Sequence, residues 1–291
     1  MTRTALAFAA VAALCLPADA QVSLVDADVV FLIDESGSMS GEQEWVESVI
    51  PTLSEELADE DIAARFGVVG FGGWDPAPRV VRTLGDADTV ATGLADDLTT
   101  DGFWEDGWTA LDVALDRYRL DAAATNFVLV TDEDRDALPG SSLTYAGILE
   151  RLLERNVTLN AVVDLQLGDD DRAARTRNGV IGIAADGTSF VSDDEDFETG
   201  EGGFSGEGDG LTAADYGALA LATGGAVWNL NILREGGDAA ESFTSAFVEV
   251  KVEEVEEDIE ETLSAVPLPA PGWMLLAGLG ALAGLRRRAR A

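Results

Sequence analysis

The sequence predicts an α/β domain with a doubly wound, mostly parallel central sheet and helices on both faces. Three observations predict it. Short, unbroken apolar runs recur along the chain, as strands buried on both faces require. Stretches with helical spacing separate them, the alternation expected of a parallel sheet. Two of the runs end directly in an aspartate, Asp34 and Asp132, at the strand ends where open parallel sheets gather ligands.

The elements follow in order. Val29-Val30-Phe31-Leu32-Ile33 reads as a central strand, and residues 43–57 as a helix bringing Trp45, Val49, Leu53 and Leu57 to one side. Residues 66–71 form the second strand and 79–83 a short edge strand. Residues 109–118 are helical, with Leu111, Ala114 and Leu115 inward, and 126–131 are a third buried strand. A helix over 145–155, a strand over 158–165, a helix over 216–223 and a last strand over 226–230 complete a domain spanning 26–240.

Two stretches break this rhythm. Residues 168–211 are an insertion rich in Asp, Glu and Gly, with a hairpin of 180–183 against 188–191 turning at Ala185-Asp186-Gly187. Its acidic run Asp193-Asp194-Glu195-Asp196 lacks the spacing and closing glutamate of a helix-loop-helix calcium site, so it reads as a solvated loop. Residues 241–264 read as an acidic helix, packed at its start and a solvated stalk near 253–261.

Both ends look like addresses. Arg3, the apolar residues 5–16 and Pro17-Ala18-Asp19-Ala20 have the order of a secretory signal peptide over residues 1–20. Cys15, the one cysteine, falls inside it, so the mature fold cannot depend on disulfides. At the other end, residues 265–291 join Val266-Pro267-Leu268-Pro269-Ala270 to an apolar stretch, 273–285, and to Arg286, Arg287, Arg288 and Arg290. The apolar stretch is 13 residues, short of the roughly 20 of a plain spanning helix. Either it serves as a short transmembrane helix with its arginines on the cytoplasmic side, or it is cut away. Without both ends, Lys+Arg falls from 18 to 13 and Asp+Glu from 55 to 54, leaving a charge of about −41. Such a surface repels nucleic acid and anionic membrane and attracts cations. The absence of histidine excludes Ser-His triads and His-ligated zinc, so an enzyme is not expected.

Asp34-x-Ser36-x-Ser38 leaves the first strand with one carboxylate and two hydroxyls at two-residue spacing. Thr109 opens a helix after Gly107-Trp108, and Asp132 follows the third strand. These are hard oxygen donors of the kind Mg²⁺ prefers. In this order, from residue 28 to 230, they resemble the five-part metal-ion-dependent adhesion site (MIDAS) of the von Willebrand factor A (VWA) family, whose fold is Rossmann-like. The resemblance implies that Asp34, Ser36, Ser38 and Thr109 contact a divalent cation directly or through water, with Asp132 acting through water. Mg²⁺ is the first choice, with Mn²⁺ or Ca²⁺ as alternatives, and a partner protein would supply a carboxylate to the ion. Trp108 and the pair Glu133-Asp134 stand where the family has glycine, which bears on the ligand more than on the metal. Trp74, Trp104 and Trp108, with Glu133 and Asp134, either form a binding rim or, for the tryptophans, cover the sheet edge. The tail resembles the PEP-CTERM class of sorting signals, in its Val-Pro-Leu-Pro-Ala variant. That implies cutting by an exosortase-like protease and delivery to the cell surface or matrix of a Gram-negative bacterium. The expected function is cation-dependent adhesion; the alternative is a structural biofilm or envelope component in which the metal only stabilises the fold.

Overall fold

The first apolar run becomes β1 (Ala27–Asp34), all eight residues buried. The computed structural model describes residues 26–265, except 76, 103, 168–171, 178, 184–188, 193–198 and 201–211. The signal peptide, the sorting tail and most of the acidic loop therefore lie outside the described residues.

The chain continues through α1 (Ser40–Asp59), β2 (Ala64–Phe71), β3 (Arg79–Gly85), α2 (Ala87–Ala91), α3 (Leu94–Asp97), α4 (Gly107–Arg117) and β4 (Ala124–Thr131). Then come α5 (Tyr145–Glu154), β5 (Val157–Val163), β6 (Gln166–Leu167), β7 (Arg172–Thr176), β8 (Gly179–Ile183), β9 (Ser189–Ser192) and β10 (Thr199–Gly200). A π-helical turn (Ala213–Gly217) leads into α6 (Ala218–Ala222), β11 (Val227–Asn229), α7 (Leu230–Arg234) and α8 (Gly237–Ala265).

The main sheet has nine strands in the order β3-β2-β1-β4-β5-β11-β7-β8-β9. Its centre, β2-β1-β4-β5-β11, is parallel. The flanks, β3 on one side and β7, β8 and β9 on the other, run antiparallel. Alternation along the strands splits the core. Val29, Phe31 and Ile33 face the layer of α1 and α8, whereas Val30 and Leu32 face α4, α5 and α6. Helices on both faces explain why these strands read as continuous apolar runs.

The insertion is more than an appendage. The β8–β9 hairpin forms as its alternation indicates, but β7 pairs with β11, so all three strands extend the sheet. The last strand is shorter than the apolar run: β11 ends at Asn229, whose side chain accepts from Asn231 N–H and caps α7.

The long acidic helix departs from the expected stalk. Glu254 and Val255 are buried, and Thr262 Oγ1 donates to Ala123 O, so α8 stays on the sheet almost to its end. Its first turns carry Phe243 and Phe247, which meet Trp45 and Trp228 edge to face. Further along, Lys251 is fully buried and gives its ammonium to Asn126 and to Glu254, which also accepts from Asn160. Glu254, which looked solvated by composition, is thus paired under the helix, while Glu253, Glu256, Glu260 and Glu261 face solvent.

The transmembrane expectation needs correction. Among the described residues no helix is long and apolar enough to cross a membrane. The longest, α8, has the length but is punctuated by acids. Residues 273–285, on which the expectation rested, lie outside the described residues.

Candidate functional site

The sheet reverses its winding between β1 and β4. From β1 the chain adds β2 on one side, then crosses to lay β4 on the other. The strand ends splay at such a switch point and leave a crevice. Asp34 ends β1 there, and Asp132 follows β4 directly; both are fully buried.

Asp34 is held by its own loop and by its neighbour. Ser36 N–H donates to Oδ1 at 2.7 Å, and Thr131 Oγ1 donates to Oδ2 at 2.7 Å. Ser36 and Ser38 place their hydroxyls 3.2 Å apart, Ser36 buried and Ser38 exposed. Burial pushes the Asp34 carboxyl up to about 7 against these hydrogen bonds, and the charge of Asp132 adds to the rise. The site disfavours negative charge and would gain from a cation.

Glu35 anchors the loop from below. Its Oε1 accepts from Arg79 Nη2 at 2.5 Å and from Thr99 N–H at 2.8 Å, and Gln43 Nε2 bridges Asp34 O and Thr99 O. Gly102 donates its N–H to Glu35 O and packs so tightly on the segment after β2 that a Cβ there would collide with Gly72 O.

Thr109 sits in the first turn of α4. Its hydroxyl donates to Asp106 Oδ2 at 2.8 Å. Asp106 also receives Arg135 through both carboxylate oxygens and the Leu138 N–H. Burial would raise Asp106, but these donors hold it below the usual carboxylate range. Thr109 is therefore tied into the N-cap of α4. The acid just ahead of α4 that lies near Asp34 is Glu105: both side chains crowd the same face of Gly72, and the carboxylates of Asp34, Glu133 and Asp136 all act on it. It is 1 % exposed, and burial first, then those charges, push it up to about 8. Sequence spacing pointed past it to Thr109; the only available signal was the acid pair Glu105-Asp106 ahead of the helix.

The rim is divided. Trp74 is 76 % exposed and Trp104 38 %, whereas Trp108 is buried beneath Arg135, whose guanidinium lies 4.0 Å from its ring centre, and donates its N–H to Asp215 O. Glu133 and Asp134 are half-buried, and burial together with the charge of Asp132 raises Glu133.

Arg234, from α7, gave no motif signal. Its Nη2 donates to Asp132 Oδ2 at 2.8 Å and its Nε to Glu42 Oε1 at 2.5 Å. Burial alone would depress the guanidinium; these two carboxylates hold it above its usual range.

The donor set fits a hard divalent cation in character. Asp132 Oδ1 is buried with no hydrogen-bond partner at the strand end, and the Ser36 and Ser38 hydroxyls stand beside each other, with that of Ser36 also acting on Asp34. The set is lean in acids: among the described residues no group of three or more Asp, Glu, His or Cys could hold a metal by itself. Any ion would lean on hydroxyls and water as well as on Asp34 and Asp132.

No protein-family model matches the chain, and the search of curated proteins found no match. Among solved structures, 247 chains match. One is proximal thread matrix protein 1 from the mussel byssus, 19 % identical, with a TM-score of 0.38. The match covers 49 % of this chain and 38 % of that one, so this chain spans well under two thirds of that protein's length.

Proposed function

We propose that the chain is an exported surface or matrix protein whose domain, of the VWA type, binds a partner protein through a divalent cation, Mg²⁺ first. One observation carries the reading: two buried aspartates, Asp34 and Asp132, end adjacent parallel strands at the switch point, with Ser36 and Ser38 beside the first. An ion there would supply positive charge for a partner's carboxylate. Asp34 and Asp132 would hold it, and Ser36 and Ser38 would donate neutral oxygens that leave it electrophilic. Exposed Ser38 and Trp74 lie on the side a partner would approach.

The test is Mg²⁺ binding by titration calorimetry, comparing the parent with Asp34→Ala. Loss of binding in the variant supports the assignment, and equal affinity refutes it. A second reading, that the ion only stabilises the fold, draws on the full burial of Asp34 and Asp132. EDTA separates the two: release of a bound partner favours adhesion, and a lower Tm with the partner retained favours the structural role.

A further inference from the structure

Arg234 is the last residue of α7, a five-residue helix, yet its guanidinium reaches the strand-end crevice. It bridges two buried carboxylates, Glu42 at 3 % exposure and Asp132 at 0 %. Asp164, at the end of β5, adds a third negative charge and is fixed by Asn231 of the same helix, whose Nδ2 donates to Oδ1 at 2.7 Å. The two oxygens of Asp132 are thus in different states: Oδ2 is taken by Arg234, and Oδ1 has no partner.

Two buried carboxylates without a counter-charge are costly, and here a cation on the chain itself provides one. That cation carries the same sign as the ion Asp132 would help to bind. A guanidinium hydrogen-bonded to Asp132 lowers the negative potential at the crevice, and its charge repels a second cation a few ångströms away. The arginine is also placed to leave. Its side chain is 28 % exposed, and the short link from α7 into α8 runs through Gly236 and the first residue of α8, Gly237, both at positive φ.

We propose that Arg234 is a tethered counter-cation that neutralises Asp132 when no ion is bound and competes with a divalent ion for that carboxylate, weakening its affinity. This rests on the cation-binding reading above. Arg234 is a positioning and specificity residue in this scheme. It tunes the site to respond to divalent concentration where a tighter site would stay filled.

The experiment measures Mg²⁺ affinity by calorimetry, and the rise in Tm on adding Mg²⁺, for the folded parent, Arg234→Gln, Arg234→Lys and Arg151→Gln. Arg151 pairs with Asp112 and Asp116 and so carries the same charge change to another part of the surface. The expected result is that Arg234→Gln binds Mg²⁺ about tenfold more tightly, or better, and gains more Tm from the ion than the parent does. Arg234→Lys, which keeps the charge, should stay near the parent, and Arg151→Gln should match it. If Arg234→Gln fails to fold, Glu42→Gln/Arg234→Gln removes the stranded carboxylate charge as well and should show the same tightening. Mg²⁺ binding by the parent with unchanged or weaker binding in the variants that remove the Arg234 charge overturns this inference and leaves the proposed function standing. A parent that does not bind while Arg234→Gln does supports the competition and sinks cation-dependent adhesion by the parent. No binding in any variant overturns both.

Discussion

Thr131 donates its hydroxyl to Asp34 Oδ2 at 2.7 Å, so one side-chain hydrogen bond ties the ends of two adjacent parallel strands at the candidate site. Thr131 is itself fully buried, and its Oγ1 also lies 3.4 Å from the Glu133 N–H. The two loops that carry Asp34 and Asp132 are therefore locked through a single hydroxyl.

Replacing that hydroxyl by a methyl group tests the lock. Thr131→Val keeps the shape and leaves a buried carboxylate oxygen without its donor, a loss of about 1–3 kcal/mol. Urea denaturation in EDTA should show the midpoint falling with an unchanged slope. An unaltered midpoint would mean that water replaces the hydroxyl and that the bond does not organise the site.

Gly102 offers a backbone test of the same region. Its N–H donates to Glu35 O, and it bridges to Ser36 in the first loop. Alanine there would drive a methyl group into Gly72 O, which backbone alone can relieve by moving. Gly102→Ala should therefore displace the Ser36 loop and abolish Mg²⁺ binding while the far end of the sheet stays intact. Amide exchange by mass spectrometry would localise the change; protection lost evenly across the sheet would contradict it.

The buried lysine makes a third prediction. Lys251 neutralises Glu254 at 2.7 Å in a fully buried setting, with Asn126 and Asn160 completing the network. Lys251→Met removes the cation and leaves Glu254 uncompensated, at a cost of about 3–5 kcal/mol. Lys251→Met/Glu254→Gln should recover much of the loss, because no stranded charge remains. The comparison is a double-mutant cycle by chemical denaturation, and strict additivity of the two substitutions would show that the pair is not coupled.

Much of this arrangement is legible in the sequence, for definable reasons. A strand buried on both faces must be apolar throughout, so β1 and β4 announce themselves, and each run stops at its aspartate. The Ser36 and Ser38 hydroxyls follow from their spacing. What the sequence hides depends on contacts between distant segments. Arg234 lies 102 residues from Asp132 and 192 from Glu42, and no periodicity marks it. The order of residues along the chain marks Thr109 but not that Asp106, three residues earlier, takes its hydroxyl as a helix cap. The acidic composition of α8 suggested solvent, and Glu253, Glu256, Glu260 and Glu261 are exposed, yet Lys251 and Asn160 pair with Glu254, and Asn126, Thr158 and Arg177 pair with Asp258. Composition registers the charges and not their partners.

Glu105 gives the pH prediction. Burial, with the charges of Asp34, Glu133 and Asp136 against it, pushes its carboxyl up to about 8, from 4.5 when unburied. The folded state thus holds its proton more tightly than the unfolded state does. The stability linked to that proton is fully present below about pH 4.5 and is lost as pH rises through about 8. In EDTA, the Tm of the parent should therefore carry a downward component between pH 5 and pH 9 that Glu105→Gln lacks. The glutamine keeps the size and a neutral, hydrogen-bonding head, so the variant should match the parent near pH 5 and exceed it near pH 9. Parallel Tm profiles for the two proteins across this range would show that Glu105 is ionised in the folded state and that a neighbouring acid carries the proton instead.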